Sequence, residues 1–215
     1  MRLDWALNPF STRLNLLRTT RRPKEFHNAV RRYYTPVITP FHNDGSVDKE
    51  GFAEILEFLI DAGTHGIVVA GTTGEYYAQT TEERTHLMQY AHQVINGRLP
   101  MMVGVGAIRT EDSIELAQIA RQTGADALLV NSPPYVLPTE TENAAHALAI
   151  DKAADLPIML YNYPGRTGVG MGEDYLNQVS ASGNFCAIKE SSGDINRLHL
   201  LANDFPNIRL SCGAD

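Results

Sequence analysis

The sequence predicts a parallel α/β protein, and among such folds it favours a (β/α)8 barrel. From residue 33 onwards, seven short apolar runs alternate strictly with six helical patterns, as in a parallel sheet joined by crossover helices. No G-x-G-x-x-G motif follows the first run, so a doubly wound dinucleotide-binding sheet is less favoured. Residues able to carry chemistry cluster just after the strand ends, which converge on one mouth in a barrel.

The seven apolar runs have the length and composition of strands buried on both faces of a sheet. The run Gly-Ile-Val-Val-Ala at 66–70 is typical, and the first run ends at Pro40, which lacks the N–H that a ladder needs. The predicted strands span 33–41, 66–70, 101–105, 126–130, 157–161, 185–189 and 208–212.

The six segments between these runs show helical periodicity. Between Asp48 and Ala62 apolar residues recur three and four positions apart, and Gly63 ends the pattern. Thr81 is a candidate N-cap for the second helix. The predicted helices span 48–62, 80–96, 110–123, 139–154, 172–182 and 193–203.

The predicted barrel is one strand short, since a complete barrel of this type typically needs about 250 residues. The eighth strand and the C-terminal helices are missing, which leaves the first and seventh strands as open edges. We expect either a fragment of a longer protein, or a gap covered by another chain or a rearrangement. Residues 33–215 form the incomplete barrel domain, and residues 1–32 form a basic, disordered N-terminal extension.

Charge is distributed unevenly along the chain. Residues 1–32 hold eight Arg and Lys against two acids, whereas the remainder holds ten basic and 23 acidic residues. The acidic body predicts a poor nucleic-acid binder. The basic segment fits a targeting segment, an RNA-contacting arm, a disordered leader or a start codon assigned too far upstream.

Cysteine, histidine and hydropathy patterns exclude several classes of protein. Cys186 and Cys212 form no CxxC motif, and both are predicted to be reduced, buried and small, which fits a cytoplasmic protein. His86 and His92 lie six apart on one predicted helix and so do not share a face, and the other histidines are scattered, so no metal site is predicted. No apolar run approaches the roughly 18 residues of a membrane helix.

Lys189 is the strongest candidate for a reactive amine among the four lysines. It ends an apolar strand, and an amine desolvated in a barrel mouth has a lowered pKa. The neutral amine attacks carbonyl groups to form a Schiff base. Taken alone, a strand-end lysine more often snorkels to solvent or pairs with a neighbour such as Glu190.

The segment Gly71-Thr72-Thr73-Gly74-Glu75 also follows an apolar strand. Its glycines let the backbone bend and expose N–H groups, and its two hydroxyls complete a small anion site suited to a carboxylate. A strand-to-helix turn capped by threonines explains the same pattern about equally well.

Two further loops carry candidate residues. Tyr161 ends the fifth strand, where a tyrosine can shuttle a proton, and Arg166 on the loop that follows can grip a carboxylate with two hydrogen bonds. Tyr135 follows Pro133-Pro134 on a stiff loop. Packing roles at the core edge, the surface or a subunit contact are the alternatives for these three side chains.

Together these segments resemble the dihydrodipicolinate synthase/N-acetylneuraminate lyase family of class I aldolases. The matching features, in the family's order and spacing over residues 33–215, are Thr35-Pro-Val-Ile-Thr-Pro-Phe41, Gly71-Thr-Thr-Gly-Glu75, Tyr161-Asn-Tyr-Pro-Gly-Arg-Thr-Gly168 and Ile188-Lys-Glu190. The resemblance implies a (β/α)8 barrel, usually assembled as a homo-tetramer, that acts on small molecules and uses no cofactor other than the covalent imine.

The resemblance also implies roles for the residues. Lys189 would form the Schiff base with pyruvate or a related 2-oxo acid, while Thr73 and the backbone from Gly71 onwards would hold its carboxylate. Tyr161 would be the proton shuttle, linked to Thr72.

Two further roles concern the neighbouring subunit and the second substrate. Tyr135 would join the proton relay and, in the family, reaches into a neighbouring subunit. Arg166, in its Pro-Gly-Arg-Thr-Gly context, resembles the synthase branch, where it binds the carboxylate of aspartate semialdehyde. The product would then be 4-hydroxy-tetrahydrodipicolinate, a precursor of lysine.

The chain departs from the synthase branch at two positions besides its length. Tyr76 stands where a small residue such as serine is usual, and Pro134-Tyr135 replaces Tyr-Tyr. The bulk of Tyr76 motivates an alternative function, an aldolase or dehydratase for a 2-oxo-3-deoxy sugar acid or an N-acetylneuraminate-type substrate. The missing strand motivates another, a catalytically silent barrel fragment.

Overall fold

A computed structural model describes residues 33–213, so the predicted extension at 1–32 lies outside the described residues. The described chain forms a seven-stranded sheet in which every neighbouring pair is parallel and the strands follow one another in chain order. A doubly wound sheet would reverse its strand order at a switch point. The sequential order therefore confirms the barrel architecture, with seven strands present.

Strands and helices alternate as the sequence predicts, with additional short helical turns after β2 and β5. The strands are β1 (Tyr34–Pro36), β2 (Gly66–Val69), β3 (Met101–Gly104), β4 (Ala127–Asn131), β5 (Ile158–Asn162), β6 (Phe185–Glu190) and β7 (Arg209–Cys212). The helices are α1 (Lys49–Asp61), α2 (Thr81–Ile95), α3 (Thr110–Thr123), α4 (Glu140–Ala154), α5 (Pro164–Thr167), α6 (Glu173–Val179) and α7 (Ile195–Asp204), and two 3-10 turns span Thr72–Gly74 and Tyr76–Ala78.

Three element boundaries differ from the prediction. β1 ends at Pro36, well before residue 41, because two prolines in this segment remove ladder donors, and Phe41 instead forms an isolated bridge with Val47. The N-cap of α2 is Thr80 rather than Thr81, since the Thr80 side chain accepts from the Glu83 backbone and closes a capping box. α6 ends at Val179, three residues early.

The edge of the sheet corrects one cysteine prediction. Within residues 33–213, β1 pairs only with β2 and β7 pairs only with β6. Residues along β7 consequently alternate between half-buried and exposed. Cys186, on central strand β6, is buried as predicted, but Cys212 on β7 is exposed.

Apolar side chains pack on both faces of the sheet, in alternation along each strand. The larger cluster lies between the sheet and the helices and includes Leu160 and Ile188. The smaller cluster lies on the concave face and includes Met159, Tyr161 and Ala187. The polar residues that end β5 and β6 are therefore distributed between an inner and an outer face.

No helix within residues 33–213 is both long enough and apolar enough to cross a membrane.

His146 is a buried titratable group between α3 and α4. Only 5% of its surface is exposed, and its Nδ1 lies 3.0 Å from the Thr110 hydroxyl. Its Nε2 is buried and has no hydrogen-bond partner among the described residues. Burial disfavours the imidazolium and lowers the pKa of His146 to about 4.

This burial predicts a loss of stability in mild acid. The unfolded chain takes up a proton on this histidine near pH 6.5, whereas the folded chain takes it up only near pH 4. The free energy of unfolding should therefore decline as pH falls from about 6.5 to about 4, by up to roughly 3 kcal/mol from this group. His146→Gln should remove that part of the decline in urea unfolding measured across this range. The exposed His199→Gln is the control, and equal declines in both variants would contradict the assignment.

Candidate functional site

The candidate site is built on the neighbouring ends of β5 and β6. Tyr161 and Lys189 occupy paired positions in this parallel ladder, and both project to the concave face by alternation with Met159 and Ala187. The Lys189 side-chain nitrogen lies 4.5 Å from the centroid of the Tyr161 ring. The two residues that sequence motifs single out most strongly are thus in direct contact.

The Tyr161 phenol is the next part of the site. Burial raises the pKa of Tyr161, and the neighbouring Tyr163 adds to the rise, while polar contacts with Thr72 and Ser191 oppose it. Thr72 arrives from the end of β2 and Ser191 from the end of β6. A phenol that burial keeps protonated, with hydroxyl groups nearby, can relay a proton between a ligand and the protein.

The turn after β2 is held by two side-chain hydrogen bonds. Gly71 is buried with an extended backbone, and Thr72–Gly74 form a 3-10 turn. The Gly74 carbonyl accepts hydrogen bonds from the Thr39 hydroxyl, at 2.8 Å, and from the Gln79 amide, at 2.6 Å. Thr73 is exposed on this fixed turn, so its hydroxyl is accessible to a ligand.

A ladder of aromatic contacts connects Tyr161 to Arg166. The ring centroids of Tyr161 and Tyr163 are 5.8 Å apart, and the Arg166 guanidinium lies 5.7 Å from the Tyr163 ring. Arg166 lies on the short helix α5 and is exposed. A hydrogen bond with Tyr163 raises the pKa of Arg166. The site therefore has an accessible cation at its rim.

Tyr135 is the one predicted site residue that the chain does not bring to Tyr161. It lies on the loop after β4 with a positive φ of 73° and is 90% exposed. Its neighbours Val136 and Leu137 are also exposed. Among residues 33–213, Thr72 and Ser191 supply hydroxyl groups near the Tyr161 phenol.

Asn162 and Glu190 were not predicted as site residues, and they form the paired positions directly after Tyr161 and Lys189. Glu190 does not turn to Lys189; its carboxylate accepts from the Asn162 amide at 3.0 and 2.8 Å and from the Arg197 guanidinium at 3.0 Å. Burial tends to raise the pKa of Glu190, but hydrogen bonds from Ser192, Asn162 and Arg197 outweigh it and keep the pKa below its usual value. The alternation of side chains along a strand could have indicated this, because it directs Glu190 to the opposite face of the sheet from Lys189.

Gly213 is a second residue that motif reasoning missed. A Cβ at this position would lie 2.6 Å from Lys189 Cγ and Cε and would collide with the Ser191 hydroxyl oxygen. The backbone after β7 therefore forms one wall of the space around the Lys189 side chain.

Tyr76 is fixed near the mouth by an unusual neighbour. The Arg84 guanidinium is 4% exposed, donates to the Gly104 and Gly106 carbonyls at 2.8 and 2.9 Å, and lies 5.1 Å from the Tyr76 ring. Burial lowers the pKa of Arg84 to about 10. Asn131, at the end of β4, donates to the Tyr76 hydroxyl at 3.4 Å.

One cluster of possible metal ligands occurs among the described residues, away from Lys189. Ligand atoms of His42, Asp48 and Glu50 all lie within 4.8 Å of one another. The Asp48 carboxylate already accepts from the Gly51 backbone as the N-cap of α1. The expectation that the chain holds no metal stays a prediction.

Comparisons with known proteins show the family of the chain. A sequence model of the dihydrodipicolinate synthetase family matches residues 29–215. The chain belongs to this family. It is 38% identical over 173 residues to the 4-hydroxy-tetrahydrodipicolinate synthase of Bacillus subtilis, covering 80% of this chain and 60% of the relative. The corresponding enzyme of Stenotrophomonas maltophilia K279a is 39% identical over 182 residues, covering 84% and 61%.

Solved structures of family members superpose on the described fold. Dihydrodipicolinate synthase from Acinetobacter baumannii, complexed with pyruvate, matches with a TM-score of 0.81 and 36% identity over 85% of this chain and 63% of that chain. The Aquifex aeolicus enzyme matches with a TM-score of 0.81 and 32% identity over 85% and 62%. The chain thus spans about three fifths of the length of these family members.

The close approach at Gly213 predicts a position-specific loss of stability. Gly213→Ala should lower the free energy of unfolding by about 1–3 kcal/mol, because the new methyl group overpacks against Lys189 and Ser191. Gly183→Ala is the matched control, since a Cβ there meets no atom within 4 Å. Urea unfolding of both variants checks this. Equal changes in the free energy of unfolding would show that the backbone at Gly213 moves away from Lys189 without cost.

Proposed function

We propose that this protein condenses pyruvate with aspartate semialdehyde through a Schiff base on Lys189, to give 4-hydroxy-tetrahydrodipicolinate. The observation that carries the proposal is the contact between the Lys189 nitrogen and the Tyr161 ring, beside two hydroxyl groups. The names of the curated relatives support the reaction, and the pyruvate bound to the Acinetobacter enzyme supports the first substrate.

The first step forms the imine. The neutral Lys189 amine attacks the C2 carbonyl of pyruvate, the carbonyl oxygen leaves as water after protonation, and a C=N bond replaces C=O. Tyr161 is suited to deliver and recover the protons, since it stays protonated at neutral pH and contacts Thr72 and Ser191. Thr73 and the backbone from Gly71 would bind the pyruvate carboxylate by hydrogen bonds.

The second step forms the carbon–carbon bond. Loss of a proton from C3 of the imine gives an enamine, whose C3 attacks the aldehyde carbon while the aldehyde oxygen takes up a proton. The amino group of aspartate semialdehyde then attacks C2, closes the ring and displaces the Lys189 amine. One water is released overall, and the lysine is regenerated.

Arg166 would bind the carboxylate of the aldehyde substrate. Its exposed guanidinium is held near the site through Tyr163, and a guanidinium can form two parallel hydrogen bonds to a carboxylate. The reaction requires no metal or organic cofactor, because the protonated imine itself withdraws electrons from C3.

Tyr135 would act on a second copy of the chain. Its 90% exposure, with Val136 and Leu137 also exposed beside it, supports a homo-oligomer in which this loop reaches a neighbouring site. The cytoplasmic location and the lack of nucleic-acid binding stay predictions from the sequence.

A second candidate function is the aldol cleavage or dehydration of a 2-oxo-3-deoxy sugar acid. Tyr76 is the observation that favours it, because its bulk and its hydroxyl would be presented where a small residue is usual in the synthase branch. Lys189 would form the same imine in either reaction, so the two candidates differ only in the second substrate.

Borohydride trapping tests the imine. Wild-type protein incubated with pyruvate and borohydride should carry a pyruvyl adduct on Lys189, found by intact mass and peptide mapping, because hydride reduces the C=N bond to a stable amine. Lys189→Ala should lose the adduct while retaining its circular dichroism spectrum. The control is Lys152→Ala, which removes an exposed lysine of α4 and should trap normally. A folded wild-type chain without adduct would favour the catalytically silent fragment instead.

Substrate choice should depend on Tyr76. With pyruvate, the wild-type chain should turn over aspartate semialdehyde, and Tyr76→Ser should raise kcat/KM for it by about tenfold, since a smaller side chain enlarges the mouth. Tyr33→Ser, the same change at an exposed tyrosine that precedes β1 and so lies at the opposite end of the strands, is the control. If the wild-type chain acts only on sugar aldehydes and Tyr76→Ser abolishes that activity, the sugar-acid reaction replaces the synthase reaction.

A further inference from the structure

A closed ring of hydrogen bonds lies behind the candidate site, on the outer face of the sheet. Asn162 donates to Glu190, Arg197 donates to Glu190 at 3.0 Å and to the Met171 carbonyl at 2.7 Å, and the Met171 N–H donates back to Asn162 Oδ1 at 3.0 Å. The side chain of Glu190 is only 3% exposed and that of Arg197 19%. The ring joins β5, β6, α7 and the segment before α6.

The ring is coupled to the site by strand register. Tyr161 pairs with Lys189, and the next pair along the same ladder is Asn162 with Glu190. Successive residues point to opposite faces, so the first pair faces the mouth and the second faces the helices. Any change in the separation of Asn162 and Glu190 is transmitted through one peptide unit to Lys189 and Tyr161.

Stability alone does not explain a charged pair in this place. Replacing a buried ion pair by apolar side chains is often neutral or stabilising, whereas breaking one partner is costly. A carboxylate that accepts four hydrogen bonds supplies instead a fixed geometry, since each bond restrains distance and direction. The Ser192 N–H, 2.8 Å from Glu190 Oε1, extends the restraint to the loop after β6.

We propose that Glu190 is a positioning residue for the imine-forming lysine: through Asn162 and Arg197 it fixes the ends of β5 and β6 so that the Lys189 nitrogen stays against Tyr161. This inference deepens the proposed function and rests on it for its catalytic consequence. Glu190 faces away from the concave side and acts only through the backbone.

The test measures the rate of pyruvate trapping on Lys189 under borohydride over a range of pyruvate concentrations. Glu190→Gln should lower the rate at saturating pyruvate by at least about tenfold, since a misplacement of 1 Å can cost up to about a hundredfold. The half-saturating pyruvate concentration should change by less than about threefold, because the carboxylate-binding turn is untouched. Glu173→Gln, the same charge change at an exposed residue of α6, should leave both values unchanged.

A double variant separates positioning from stability. Glu190→Gln leaves the Arg197 charge without its carboxylate, and adding Arg197→Gln removes that charge. The double variant should regain melting temperature but not trapping rate. Recovery of both, or a wild-type rate in Glu190→Gln, would overturn the proposal.

If these variants fail to fold, Arg197→Lys replaces them, because it keeps the charge but cannot span both Glu190 and Met171. A loss of trapping rate of at least about threefold is then expected, and a wild-type rate would overturn the proposal.

Reductive methylation of Lys189 with formaldehyde and cyanoborohydride distinguishes failure of the proposed function from failure of the positioning role. It reports the accessibility of the amine without pyruvate, and it should become faster in Glu190→Gln as the side chain leaves the Tyr161 ring. If the wild type fails to trap pyruvate but Lys189 is methylated faster in the variant, the proposed function is wrong and the positioning role stands. If Glu190→Gln changes neither the methylation rate nor the trapping rate, the positioning role alone is wrong.

Discussion

The parallel pairing of β5 with β6 is the constraint on which the rest of the site depends. Its register brings Lys189 beside Tyr161 on the inner face and Glu190 beside Asn162 on the outer face. A parallel ladder fixes both pairs together, because neighbouring residues share peptide units but point in opposite directions. The contact between Lys189 and Tyr161 at the mouth and the hydrogen-bond ring behind it are therefore two sides of a single backbone arrangement.

Elements distant in the sequence supply residues that contact the paired ends of β5 and β6. The Gly213 backbone closes one side of the Lys189 side chain, so the last described strand is part of the site although its outer edge has no partner within residues 33–213. α7 contributes Arg197 to the outer ring, and the turn after β2 places Thr72 near the Tyr161 phenol. Strand ends of a barrel converge, so a few side chains from each of several loops suffice to build one site.

Sequence reasoning found the features that periodicity and motif chemistry encode. All seven strands were predicted because apolar runs report burial directly. Lys189 and Tyr161 were singled out because they end such runs and Thr72 because it follows one, and their catalytic roles stay predictions. Glu190 was considered only as a partner for Lys189, since its bonds to Asn162 and Arg197 depend on which loops meet. The exposure of Cys212 depends on what covers the sheet edge. The early end of β1 depends on two prolines that remove donors of ladder hydrogen bonds. Neither property is contained in the local hydropathy pattern.

Arg84 and Tyr76 add a constraint of a different kind at the mouth. A buried guanidinium stays charged here, and its stabilisation comes from two backbone carbonyls and the face of an aromatic ring. A cation against an aromatic ring is worth about 2 kcal/mol when desolvated, so moving the Tyr76 ring would expose Arg84 to a poorer environment. Gly106 allows this packing, because a Cβ there would lie 3.1 Å from Tyr76 Cζ. The bulk of Tyr76 is consequently a fixed part of the mouth rather than a gate, because its ring packs on Arg84 and its hydroxyl accepts from Asn131.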